Sequence, residues 1–163
     1  MEREWITAYC GEGRGKTAAA LGQGVLAADK GKSVIVIQFL KGRQERELKV
    51  ISRMEPELKV FRFEKFPRQF NELTPEEQAE ETVNIRNAFN FAKKVLVTEG
   101  CDLLVLDEIL GLLDLDLITM EDMKCLLDAK ADATGLVVTG IHMKEELVPY
   151  MDKVYQLDPI KES

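Results

Sequence analysis

The chain has 163 residues, 45% hydrophobic and 31% charged, with a formal net charge of −7. This length suits one domain with a real core, and residues 1–163 are expected to form a single domain. The acidic balance argues against extended DNA or RNA as a partner, and no apolar run is long enough to span a bilayer.

Met1-Glu2-Arg3-Glu4 carries no signal-peptide pattern and leads into Trp5–Tyr9, a short β-prone run. That run breaks into the glycine cluster Gly11-Glu12-Gly13-Arg14-Gly15. An Ala- and Leu-rich helix is expected from about Lys16 to Lys30, stopped by Gly31. Val34–Leu40, broken only by Gln38, reads as a strand buried on both faces. Residues 41–73 are irregular; we expect a short helix near 45–54, a short strand near 59–63 and a mobile loop through Asn71. Thr74-Pro75-Glu76-Glu77 combines an N-cap, a proline at the first helical position and a capping-box Glu. The helix it opens carries Ile85, Phe89, Ala92 and Leu96 on one face and ends at Gly100. Leu103–Leu106 is another buried strand, ending in Asp107-Glu108. Two short helices follow, the second capped by Thr119. Gly135–Thr139 is a fifth strand, Met143–Leu147 falls in a short helix, and Lys153–Leu157 is the last strand. Strands alternating with helices predict an α/β fold: a mainly parallel sheet with helices on both faces and ligands at the strands' carboxyl ends. The three cysteines, Cys10, Cys101 and Cys125, suit neither a zinc site nor a disulfide framework, and a cytoplasmic protein with reduced thiols is expected.

Gly15-Lys16-Thr17, after a strand and at a helix start, is the core of a Walker A phosphate loop. Glycines let backbone N–H groups turn inward around phosphate oxygens, and the helix N-terminus adds partial positive charge. Lys16 supplies a compact cation and Thr17 a hydroxyl for Mg²⁺. The full pattern would put glycine where Cys10 stands, so the loop opens at Gly11. A Rossmann G-x-G-x-x-G fails at Lys16, and the second strand ends Gln38-Phe39-Leu40 without the acidic residue that motif needs. Asp107 at the end of an apolar strand matches a Walker B element that holds Mg²⁺; Glu108 is either a second metal contact or a charge at a helix N-terminus. The expected class is a three-layer P-loop NTPase-like (RecA-like) fold that binds a nucleotide triphosphate.

The segment from Tyr9 to Gly22 resembles the phosphate loop of the ATP:corrinoid adenosyltransferases, which typically reads G-[ND]-G-K-G-K-T-T-A-A-x-G. Arg14 and Ala18 replace a lysine and a threonine of that pattern. Val36-Ile37-Gln38-Phe39-Leu40-Lys41-Gly42 resembles the family's V-x-Q-F-[IL]-K-G, Val105–Ile109 its L-D-E-[IL] strand, and Val137-Val138-Thr139-Gly140 its V-x-T-G strand. The order is right and nearly the whole chain is covered.

The resemblance implies transfer of the adenosyl group of ATP to a cobalt(I) corrinoid, with triphosphate released. ATP is then co-substrate and Mg²⁺ cofactor, bound by Gly11, Glu12, Gly13, Arg14, Gly15, Lys16, Thr17 and Ala18, with Lys16, Thr17 and Asp107 catalytic and Thr17, Asp107 and Glu108 around the metal. Gln38 and Lys41 face ribose or phosphate, or else serve as an edge amide and a solvated lysine. Phe63, Phe66 and Phe70 read first as packing residues, and alternatively as a wall for the flat corrin ring. A flavin-type reductant protein and a homodimer are compatible partners. Two rival readings stay open. One is a non-catalytic nucleotide- or corrinoid-binding regulator on the same fold, favoured by Ile141-His142 where the family often has an arginine after Gly140. The other is a small P-loop kinase or ATPase.

Overall fold

Four apolar runs, each buried on both faces, dictate the architecture. In the computed structural model, which describes residues 3–41 and 49–163, they form β1 (Ile6–Cys10), β2 (Val34–Gln38), β4 (Leu103–Asp107) and β5 (Gly135–Thr139). Short edge strands β3 (Leu58–Phe61) and β6 (Lys153–Gln156) complete a parallel sheet in the order β3-β2-β4-β5-β1-β6. Successive side chains alternate between faces. Val34, Val36, Val105 and Val137 pack with Ala20 and Leu21 of α1 (Lys16–Asp29), and Ile51 of α2 (Lys49–Ser52) joins them. Ile37, Leu104, Leu106, Leu136 and Val138 pack on the opposite face with α3 (Pro75–Val97), α4 (Ile109–Asp114) and α5 (Met120–Asp128). The three-layer arrangement read from the sequence is the one observed.

Local chemistry sets the helix starts. Thr74 accepts from Glu77 N–H at 3.2 Å while the Glu77 carboxylate accepts from Thr74 N–H at 3.0 Å, and Pro75 occupies the first turn. Thr119 and Asp122 repeat the exchange at α5. Such caps satisfy N–H groups that the helix itself cannot.

Several boundaries differ from the sequence expectation. β2 ends at Gln38 because Leu40 turns out of the strand at φ 58°, its N–H held by the Glu64 carboxylate. Of the helix expected near 45–54, the described part is Lys49–Ser52; residues 42–48, which include Gly42, lie outside the described residues. The Met143–Leu147 helix is instead a 3₁₀ helix, Glu145–Tyr150, shaped by Pro149, which lacks an N–H donor. The stretch expected as a mobile loop through Asn71 is tied to α3. Glu81 accepts from Lys65 N–H at 3.0 Å and Phe66 N–H at 2.9 Å, and a 3₁₀ turn at Phe70–Glu72 follows. Phe63 and Phe70 pack against the core, Phe63 lying 5.6 Å from the Phe91 ring; packing is thus their observed environment.

Candidate active site

The parallel topology gathers four strand ends at one edge. β1 delivers the phosphate loop, β2 Gln38, β4 Asp107 and β5 Thr139. β5 lies between β1 and β4, so the loop strand and the Asp107 strand stand about 10 Å apart at the usual strand spacing. α1 and Thr139 bridge that gap.

The loop is held by the protein's own carbonyls. Gly11 N–H donates to Ile141 O at 2.9 Å and Gly13 N–H to Leu157 O at 2.7 Å, while Leu157 N–H donates back to Cys10 O at 2.8 Å. A Cβ on Gly13 would stand 2.5 Å from Leu157 O, so only glycine fits there. Gly15 caps α1 at φ 107°, a left-handed conformation that glycine adopts without steric cost. Buried Lys16 donates from Nζ to Gly13 O at 2.8 Å. Gly11 and Gly13 are committed to these carbonyls, and the first-turn N–H groups of α1, at Lys16, Thr17 and Ala18, have no acceptor within the helix.

Asp107 is the hub of the site and is fully buried. Thr17 Oγ1 lies 3.1 Å from both of its oxygens. Thr139 Oγ1 donates to Oδ1 at 2.8 Å, and Gln38 Nε2 donates to Oδ2 at 3.2 Å. Lys41 Nζ sits 3.3 Å from Oδ2 and donates to Thr17 Oγ1 at 3.0 Å. Gln38 is oriented in turn by Arg62 Nε, 2.7 Å from its Oε1. Of the candidates named from sequence, Lys16, Thr17, Gln38, Lys41 and Asp107 therefore come together. Gln38 and Lys41 are partnered residues of the site, neither an idle edge amide nor a solvated lysine.

Three candidates lie at the margin. Arg14 is exposed and pairs with Glu162 at 3.1 Å. Glu12 is exposed. Glu108 takes φ 66°, donates its N–H to Thr139 Oγ1 at 2.7 Å, and lays its carboxylate beside Gly111 on α4. Sequence reasoning named Thr139 only as part of the V-x-T-G strand end, without a role, and missed Arg62 as a site residue. The end of a buried strand beside Asp107 was a usable signal for the first, and nothing local marked the second. Cys10, behind the loop, has its thiol pushed up by burial and by Asp158, against a lowering from Lys16.

Among the described residues, no group of three or more His, Cys, Asp or Glu side chains is placed to hold a metal ion, and no helix is long and apolar enough to cross a membrane.

The family model of the ATP:corrinoid adenosyltransferases BtuR/CobO/CobP matches residues 2–163. The corrinoid adenosyltransferase of Escherichia coli (strain K12) and CobA of Salmonella typhimurium are each 29% identical over 163 residues, an alignment covering 98% of this chain and 79% of theirs. A Sinorhizobium corrinoid adenosyltransferase is 30% identical over 165 residues, covering 98% and 74%. Among solved structures, a DNA replication initiation factor aligns with TM-score 0.46 and 15% identity over 96% of this chain, which spans 40% of that structure's length.

Proposed function

The chain belongs to the ATP:corrinoid adenosyltransferase family, and on that premise we propose that it moves the 5′-deoxyadenosyl group of ATP to the cobalt(I) of a corrinoid and releases triphosphate. The family makes it a transferase with ATP and a corrinoid as substrates. The observation that carries the proposal is the cluster of Thr17, Gln38, Lys41 and Thr139 around Asp107, directly beneath the phosphate loop.

In this reaction the corrinoid cobalt(I) supplies an electron pair to the ribose 5′ carbon. The C5′–O bond breaks and its pair leaves with the triphosphate. No proton moves in that step, so the site needs no general base. His142, the single histidine of the chain, is engaged with Asp114 at 3.0 Å. The protein's task is to stabilise charge on a highly anionic leaving group. The helix-start N–H groups and Lys16 face that charge, and Lys16 has further donors beyond the one on Gly13. Arg14, on the rim, adds positive potential.

The donor set fits a divalent cation. Thr17 Oγ1 and Asp107 Oδ2 already share one cation, the Lys41 ammonium, at 3.0 and 3.3 Å. Mg²⁺ bound there would be held by Thr17 and Asp107 together with phosphate oxygens, and would neutralise charge on the leaving group. Glu108, one residue on, would act through its backbone tie to Thr139 and through charge. A flavin-type reductant protein would supply cobalt(I). A homodimer and a cytoplasmic setting complete the reading; the free thiols Cys10, Cys101 and Cys125 support a reducing compartment.

An anaerobic assay with MgATP and chemically reduced cobalamin tests the proposal. The expected result is loss of cobalt(I) absorbance and gain of the light-sensitive adenosyl product, slowed about 10²–10³-fold by Lys16→Ala. Intact MgATP binding without product, for cobalamin and a second corrinoid alike, would favour the non-catalytic regulator. The residues that favour that second reading are Ile141 and His142 after Gly140.

A further inference from the structure

Lys41 does not leave the sheet as an ordinary loop lysine. Leu40 before it adopts a left-handed backbone at φ 58°, a conformation that L side chains rarely adopt. The Glu64 carboxylate holds the Leu40 N–H in that turn. The turn sends the Lys41 side chain back under the phosphate loop, where only 11% of it remains exposed.

There its ammonium takes the electron pairs that a metal would use. It donates to Thr17 Oγ1 at 3.0 Å and sits 3.3 Å from Asp107 Oδ2. Thr139 and Gln38 occupy the other faces of the carboxylate. A dication bound to the same two oxygens would stand within a few ångströms of this ammonium, and their repulsion in a site of low dielectric is large.

We propose that the Lys41 ammonium is a tethered cation that holds the metal's place before nucleotide arrives, so that Lys41 and a divalent cation exclude each other at Thr17 and Asp107. The inference rests on the nucleotide reading above for the place of the metal. It makes Lys41 a positioning residue with two roles. Without nucleotide it neutralises buried Asp107 and keeps free divalent cations out. With nucleotide, the phosphates bring enough negative charge to accommodate both cations, and Lys41 is released towards them. The metal therefore enters with the nucleotide and not ahead of it.

The test is Mn²⁺ binding to the full chain, followed by the electron paramagnetic resonance of free Mn²⁺, with and without ATP. Without ATP, Lys41→Gln is expected to bind Mn²⁺ at least about tenfold more tightly than the wild type. Lys41→Met, which keeps the apolar stem, should do the same, so a folding defect in one variant does not decide the result. Lys32→Gln, which removes a like charge at the opposite end of the sheet, should change Mn²⁺ affinity by no more than about threefold. Equal gains in the Lys32 and Lys41 variants would reduce the effect to net charge and overturn the inference. Unchanged affinity in both Lys41 variants, with Mn²⁺·ATP still bound by the wild type, would overturn it while leaving the transferase reading in place. Absence of Mn²⁺ binding by any of the proteins, with or without ATP, would overturn the metal site itself.

Discussion

Among the described residues, two carboxylates are almost wholly removed from water, Asp107 at 0% exposure and Glu81 at 1%, and they are satisfied in opposite ways. Asp107 is surrounded by side-chain groups: two threonine hydroxyls, one amide and one ammonium. Glu81 is held mainly by backbone, accepting from Lys65 N–H and Phe66 N–H, with Asn84 Nδ2 at 2.8 Å as its side-chain donor. Hydroxyls rotate and a lysine stem swings, so the shell around Asp107 can exchange one cation for another. Backbone N–H groups cannot turn away, so Glu81 fixes the segment after β3 against α3. On the proposed function, the buried acid surrounded by movable donors serves the chemistry, and the one surrounded by immovable donors serves the architecture.

Asp107→Asn probes the first half of that contrast and should have the largest effect. Adenosyl transfer is expected to fall about 10²–10³-fold, measured as the rate of cobalt(I) loss. Stability should change by no more than about 1 kcal/mol, because the hydroxyls can reverse and Lys41 can move out. A large loss of stability would show that the shell is rigid. Glu81→Gln probes the second half. A glutamine NH₂ turned towards the N–H groups of Lys65 or Phe66 leaves donors facing donors, which should cost about 2–3 kcal/mol in denaturant unfolding. Transfer by the folded fraction should drop less than about tenfold, since this carboxylate touches no group of the site. Smallest of the three is Asp122, which is partly exposed. Hydrogen bonds from Arg86, then the Thr119 N–H, pull its carboxyl down to about 2. A depressed carboxyl stabilises the fold fully above its unfolded value near pH 4, and that contribution is lost as the pH falls towards 2. Asp122→Asn should cost roughly 0.5–1 kcal/mol at neutral pH and flatten the unfolding profile between those values.

The same contrast explains what could be read before any fold was known. β1, β2, β4 and β5 announce themselves as apolar runs, and Gly15-Lys16-Thr17 and Asp107 carry the groups that the proposed phosphate and metal site would need. Thr74 and Thr119 mark helix starts because a capping box is local in sequence. Glu81 gave no such sign. It stands in Glu76-Glu77-Gln78-Ala79-Glu80-Glu81, where it looks like one more solvated helical acid, and only the fold brings Lys65 and Phe66 to it. Arg62 is similar: its partner Gln38 is 24 residues away on a neighbouring strand. Motif residues are legible because their chemistry is fixed. Anchors such as Glu81 are not, because their partners are set by topology.

The seam between the phosphate loop and Leu157 bears on how the protein comes off the ribosome. β1 is made first but sits inside the sheet, flanked by β5 and β6, whose residues are translated more than a hundred positions later. The loop that follows β1 is closed by a carbonyl at position 157. A nascent chain therefore carries its Gly15-Lys16-Thr17 sequence through the translation of more than a hundred further residues without the loop's final shape. On the proposed function, nucleotide competence should arrive late, as β6 docks and Leu157 closes the loop.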